Sequence, residues 1–207
     1  MQPIKTVYWK PDRMGRRLPG SVCMVDQTRL PNALVWLEIR DVRSLRKAIK
    51  VLQVRGAPAI GVAAALGIVL ALQNARARSG SGLVAAVERA AKCLATARPT
   101  AVNLFWALDR MRRFAAQCAE MTPAVFRERM LDEALAILRE DIEMCRAIGR
   151  HGAGLLRSGQ TVLTHCNAGG LATSRFGTAL APVYIAREQG KRISVYADET
   201  RPLLQGA

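Results

Sequence analysis

Residues 161–180, "TVLTHCNAGGLATSRFGTAL", decide how the chain is read. Thr161, Val162 and Leu163 form a short run with β-branched members, which reads as a strand leading into Thr164 and His165. Cys166 follows, and Asn167, Gly169 and Gly170 then make a glycine-rich turn. Residues 171–190 read as a helix with Gly190 as its C-cap, and "RISVYADE" at 192–199 reads as a second strand. Strand, glycine turn, helix and strand make a βαβ unit, whose parallel strands present ligands at their C-terminal ends. On local grounds two readings of Cys166 stay open. It is a small residue packed in a core, or it is a reactive thiol at the mouth of a site, where the dipole of the following helix favours the thiolate. Side chains alternate along a strand, so His165 is expected on the opposite face, as a hydrogen-bonded structural residue.

Upstream of this unit the pattern differs. "IKTVYWK" (4–10), "GSVCMVDQT" (20–28) and "ALVWLEI" (33–39) are short β-type runs separated by turn residues, and they predict a small antiparallel sheet over residues 1–40. From Asp41 the period becomes helical. Asp41 is a capping residue, and Val42, Leu45, Ala48 and Leu52 fall near one face. "GAPAIGVAAALGIVLALQNA" at 56–75 is long and uncharged, but its apolar character comes from small residues and it holds Pro58. It reads as a buried core helix and not as a membrane span. Three further helices follow. One ends before Arg98-Pro99, one opens at Asn103 as N-cap, and one opens at Thr122-Pro123 and ends at Gly149 or Gly152. The expected organisation is therefore α/β: a β segment over 1–40, a helical bundle of about five helices over 41–157, and the start of a Rossmann-like parallel domain over 158–207. Two strands and one crossover helix are an incomplete parallel sheet, which needs more strands and cover on both faces. Exposed edges and apolar faces of that kind favour aggregation of the isolated chain.

Composition narrows the class of function. Half of the 207 residues are hydrophobic, which excludes a disordered chain. The 31 Lys+Arg against 16 Asp+Glu give a net charge of +15, which suits an anionic partner such as a phosphate. The charge is spread along the chain without aromatic interleaving or a lysine-rich tail, so nucleic-acid binding is not expected. Five cysteines at 23, 93, 118, 145 and 166 show no C-x-x-C spacing, and the chain does not begin with a signal peptide. Reduced thiols in a cytoplasmic protein are the expectation. With only His151 and His165 present, no histidine-rich metal site is expected.

Beside Cys166, three stretches carry candidate chemistry. "VRGAPAIG" at 54–61 places Arg55 and Gly56 before a helix N-terminus, where free amides and a guanidinium suit a phosphate. "ARPTAVN" at 97–103 sets Arg98 on a stiff loop. "YADETRPLLQGA" at 196–207 clusters Asp198, Glu199, Thr200, Arg201 and Gln205 past the second strand. Each is an ordinary loop sequence when taken alone.

Taken together, "RGAPAIG", "RPTAVNL", "THCNAGGLAT", "GTAL" and "VYADETRPLLQGA" occur in that order, and the sequence closely resembles the family that holds the S-methyl-5-thioribose-1-phosphate isomerases and the α, β and δ subunits of initiation factor 2B. The resemblance implies a cofactor-free aldose–ketose isomerase of methionine salvage, working as a cytoplasmic homodimer. Its reaction would turn 5-methylthioribose 1-phosphate into 5-methylthioribulose 1-phosphate. It puts Cys166 on the catalytic cysteine, and Arg55, Gly56, Ala57, Arg98 and Gln205 on substrate-binding positions. A non-catalytic regulatory subunit, or an isomerase of ribose 1,5-bisphosphate or 5-deoxyribose 1-phosphate, are the alternatives. The family's catalytic aspartate and an Asn-Lys pair lie beyond the "QGA" motif and have no counterpart in the 207 residues, so the expectation is the N-terminal part of an isomerase, impaired in turnover.

Overall fold

A computed structural model describes residues 3–201 and 203–206. Strands β1 (Val7–Pro11), β2 (Gly20–Val25) and β3 (Trp36–Ile39) form an antiparallel sheet in that order. Helices α1 (Val42–Lys50), α2 (Ala57–Gln73), α3 (Gly80–Ala95), α4 (Val102–Gln117) and α5 (Pro123–Ala153) follow, and the chain then enters β4 (Thr161–Thr164), a 3-10 turn at Gly170–Ala172, α6 (Ala181–Glu188) and β5 (Ser194–Ala197). β4 and β5 pair in parallel, with Leu163 opposite Tyr196, and both of these side chains are 71% exposed. The α/β reading holds: a small antiparallel sheet, a set of helices and a two-stranded parallel sheet.

α2 is the centre of the molecule. Its residues from Ala59 to Leu70 are all buried, and it packs against α1, α3, α4, α5 and the first sheet. Small residues make this possible. A Cβ on Gly61 would lie 2.9 Å from the Asn103 carbonyl oxygen, and one on Gly67 would lie 2.6 Å from Leu45 Cδ2. The helix is apolar because it is surrounded by protein. Among the described residues no helix is long and apolar enough to cross a membrane.

The apolar core gathers β1–β3, α1–α4 and the first half of α5. A second, smaller cluster joins Ile142, Cys145 and Ala153 of α5 to Phe176, Ala181, Ile185 and Ala186. α5 is a member of both. Gly149 and Gly152 were expected to end this helix, yet it continues to Ala153, with Gly154 as C-cap. The two glycines serve contact instead. Their missing side chains admit Ile185 and the Ala181 carbonyl at Gly149, and Pro182 at Gly152.

Two further boundaries differ from the sequence reading. Ala101, not Asn103, caps α4, since the chain turns helical directly after the Arg98–Ala101 turn. The long helix expected over 171–190 is confined to Ala181–Glu188. Between Gly169 and Gly177 the backbone folds back on itself: a Cβ on Gly170 would lie 2.6 Å from the Arg175 carbonyl oxygen, and one on Gly177 would lie 2.6 Å from that of Ala168. A continuous helix cannot make those contacts. Gly190 does terminate α6. It adopts φ +79, the Gly190 amide bonds the Arg187 carbonyl and the Lys191 amide bonds that of Ala186, a Schellman ending.

Two tests follow from this packing. An exposed helical glycine changed to alanine gains up to about 1 kcal/mol. Gly149→Ala is instead expected to cost roughly 1–3 kcal/mol in a denaturant titration, because α5 and α6 have no room for the methyl group. The second concerns Glu38, which accepts from Lys10 Nζ at 2.5 Å and Arg40 at 2.6 Å. These cations, Lys10 first, hold its carboxyl down to about 2. A depressed carboxylate stabilises the fold fully above the ordinary carboxylate range and loses that contribution as the pH falls toward 2. Glu38→Gln is therefore expected to melt slightly below the parent at pH 7, with the gap narrowing in acid. An unchanged gap between about pH 5 and pH 2 rules the pairing out.

Candidate functional site

The site forms where α2 begins and where β4 and β5 end. α2 opens at Gly56, which has φ +93 and supplies no side-chain cap. The amides of Ala57 and Ala59 therefore have no acceptor within the helix, and Pro58 has none to satisfy. Gly56 lies directly against the 3-10 turn past β4. A Cβ there would come within 2.3 Å of the Ala172 carbonyl oxygen. Glycine is thus required twice, for its conformation and for the approach of two backbones.

Arg55 precedes this junction and is half-buried. Its NH2 group donates to the Gln27 carbonyl at 3.4 Å, while its buried Nε has no hydrogen-bond partner among the described residues. Burial pulls the guanidinium below its ordinary value, and the charge of Glu199 acts in the opposite direction. A cation that is desolvated, with donor capacity left over, is suited to an anionic group.

Cys166 sits just past β4 with φ +68, a left-handed conformation that non-glycine residues seldom hold. Strained backbone of this kind gathers at functional sites. Its side chain is exposed, whereas Cys23, Cys118 and Cys145 are buried and burial raises all three, Cys145 to about 11. In this chain the thiol is not packed in a core. The expected helix dipole is a different matter. α6 starts at Ala181, and the amides of Thr178 and Leu180 at its head are taken by the Ala168 carbonyl, at 3.0 and 3.3 Å. The turn that carries Cys166 is thus anchored on the head of α6 by backbone, and the thiol does not occupy those amides. Gly170 likewise is buried for packing.

His165 pairs with Asp198 across the two strand ends, Nδ1 to Oδ2 at 3.3 Å, and the Asp198 amide donates to the Thr164 carbonyl at 3.0 Å. The hydrogen-bonded role expected for His165 is what it shows, on an exposed side chain. Past β5, the Glu199 carboxylate accepts the amide of Gln205 at 2.7 Å, so the loop that bears Gln205 returns toward the side where Arg55 feels Glu199. Ala57 is exposed at the helix tip. Arg98 is the outlying candidate. It is half-buried on the α3–α4 loop, and its segment reaches α2 through Asn103, whose carbonyl oxygen lies against Gly61. Among the described residues no three His, Cys, Asp or Glu side chains are grouped to hold a metal.

Several residues that hold the site together had escaped the sequence reading. Thr6 Oγ1 donates to the Gly170 carbonyl at 2.7 Å, Gln27 Nε2 to the Leu171 carbonyl at 2.8 Å, and the Ser174 amide donates to Asp141 Oδ2 at 2.7 Å. Asp26 accepts from Gln53 Nε2 at 2.8 Å, and the Gln27 amide donates to the Gln53 carbonyl. Thr6, Asp26 and Gln27 are buried polar residues at strand ends. "VDQT" falls at the end of the β-type run read over 20–28, whereas the strand stops at Val25 and Asp26 and Gln27 turn inward to hold the site.

Comparison with known proteins places these features. Residues 53–207 match the model of the Initiation factor 2 subunit family. The chain is 53% identical over 206 residues to the 5-deoxyribose 1-phosphate isomerase of Moorella thermoacetica, matching 100% of this chain and 56% of that protein. Among solved structures it superposes on the translation initiation factor eIF-2B subunit delta from A. fulgidus with a TM-score of 0.87 at 43% identity, covering 99% of this chain and 57% of that one. The 5-methylthioribose 1-phosphate isomerase from Pyrococcus horikoshii gives 0.86 at 36% identity, covering 97% and 55%. The chain spans little more than half the length of each of these relatives. With its fold and three-quarters of its sequence matched, the chain belongs to the Initiation factor 2 subunit family.

Proposed function

We propose that this chain carries the sugar-phosphate-binding part of an aldose–ketose isomerase site, acting on 5-methylthioribose 1-phosphate to give 5-methylthioribulose 1-phosphate. The observation that carries the reading is the junction itself. An exposed thiol in a left-handed conformation follows β4, and the turn after it abuts the uncapped start of α2 beside a half-buried arginine. The names of two relatives, a 5-deoxyribose 1-phosphate isomerase and a 5-methylthioribose 1-phosphate isomerase, support the same class. A homodimer in the cytoplasm and the absence of a cofactor belong to this reading through the family resemblance.

The chemistry makes definite demands. Phosphate occupies the anomeric oxygen, so the bond from C1 to the ring oxygen must break and the ring oxygen must gain a proton. The hydrogen on C2 then moves to C1, and the C2 hydroxyl loses its proton as it becomes the ketone. Arg55 and the free amides of Ala57 and Ala59 hold the phosphate, with Arg98 and Gln205 as further contacts. In this reading the Cys166 thiol donates a proton to the ring oxygen. Remote binding energy at the phosphate thereby orients C1 and C2 toward the thiol.

The name of the A. fulgidus relative favours a second reading, a regulatory subunit without catalysis. Titration of the chain with 5-methylthioribose 1-phosphate, 5-deoxyribose 1-phosphate and ribose separates the readings. The isomerase reading expects saturable binding of the 1-phosphates and none of ribose. Binding to a translation factor with no affinity for sugar phosphates sinks it. Alkylation supplies a readout that does not depend on turnover. Cys166 is expected to be the first thiol modified, and a bound sugar 1-phosphate is expected to protect it. Gly56→Ala should weaken sugar-phosphate binding by about tenfold or more and lower stability by roughly 1–3 kcal/mol, since a left-handed alanine is strained and its methyl group pushes the Ala172 turn off α2. Wild-type affinity in that variant would count against the anion site at the head of α2.

A further inference from the structure

Glu199 follows β5 and Asp198, at the start of a loop whose described residues form no helix or strand. One oxygen of its carboxylate, Oε1, accepts three backbone amides: Thr200 at 2.8 Å, Gln205 at 2.7 Å and Gly206 at 2.9 Å. These donors come from both ends of the loop, so a single side chain closes it. Thr200 Oγ1 adds a second clip inside it, donating to the Leu203 carbonyl at 2.6 Å. Gly206 returns to the strand end, where a Cβ would lie 2.8 Å from the Asp198 carbonyl oxygen. The amides, Gly206 first, hold the Glu199 carboxyl below its usual range, which keeps it ionised and at full strength as an acceptor. The same charge acts on Arg55 across the site.

We propose that Glu199 is the positioning residue of the sugar-phosphate site: its carboxylate gathers the amides of Thr200, Gln205 and Gly206 and so carries Gln205 back toward Arg55 and the head of α2. The inference rests on the isomerase reading for the role of Gln205. Glu199 itself touches no substrate. Its side chain is spent on the loop amides, and its charge would repel a phosphate. The described residues of the loop belong to neither apolar cluster, so its hydrogen bonds, with this acceptor taking three of them, hold it closed.

The test uses two variants of the 207-residue chain, Glu199→Ala and Glu199→Gln, and two measurements. Hydrogen exchange of the Gln205 and Gly206 amides, without ligand, is expected to speed up about tenfold or more in Glu199→Ala, which has no acceptor. Glu199→Gln retains a carbonyl acceptor and should stay near the parent. Affinity for 5-methylthioribose 1-phosphate, measured by calorimetry, should fall about tenfold or more in Glu199→Ala and stay within about threefold in Glu199→Gln, with the melting curve of both unchanged. Parental affinity in Glu199→Ala overturns the proposal. So does a loss of affinity in Glu199→Gln equal to that in Glu199→Ala, which would assign the effect to charge at Arg55. If the parent chain binds no sugar phosphate, the isomerase reading falls, and the exchange rates still decide whether Glu199 closes the loop.

Discussion

The contact between Gly56 and the Ala172 backbone is the constraint on which the site depends. α2 is buried from Ala59 to Leu70, so its position is set by the core, and its N-terminus is the end that meets the strand-bearing part of the chain. Bringing the strand-bearing part of the chain against that end requires two backbones to touch. The 3-10 turn past β4 makes that touch, and its glycines are used to compact it. The polar bonds from Thr6, Gln27 and Asp141 then fix the turn from three sides, through elements far apart in sequence. A site at a junction of this kind needs no residue with unusual chemistry. It needs a helix end left free, a cation that has lost part of its water, and a thiol held where solvent and ligand can reach it.

Much of the architecture was legible because it follows from period and composition. The three short β runs, the small-residue helix and the Thr122-Pro123 helix start are local signals, and each appears where the residues place it. The misreadings have a common cause. Gly149 and Gly152 look like helix ends in a linear reading, whereas in the fold they are points of close approach whose partners, Ile185 and Pro182, lie many residues away. The same is true of the helix expected from Leu171. Its residues have helical propensity, but the contacts of Gly170 and Gly177 with neighbouring carbonyls win over it.

The candidate site was legible in part. Cys166, Arg55, Gly56 and Ala57 could be singled out from motif and position, and the structure brings their segments together. Gln205 is tied in through the Glu199 carboxylate, a bond that sequence cannot reveal because Glu199 sits among four other polar residues of equal promise. Arg98 remains on a neighbouring loop. Thr6, Asp26 and Gln27 were invisible as site residues for a simple reason: a polar residue at the end of a short β-type run is ordinarily solvated, and only tertiary structure shows that these three are buried.

The helix α5 has a consequence for how the molecule comes apart. At 31 residues it is a rod about 46 Å long, and its two halves belong to different apolar clusters. A segment shared in this way transmits loss of order: unravelling the small cluster strips one side of α5 from Ile142 onward, and fraying of that half exposes its continuation into the large core. The two clusters are therefore expected to unfold together, with α5 carrying the loss of one into the other.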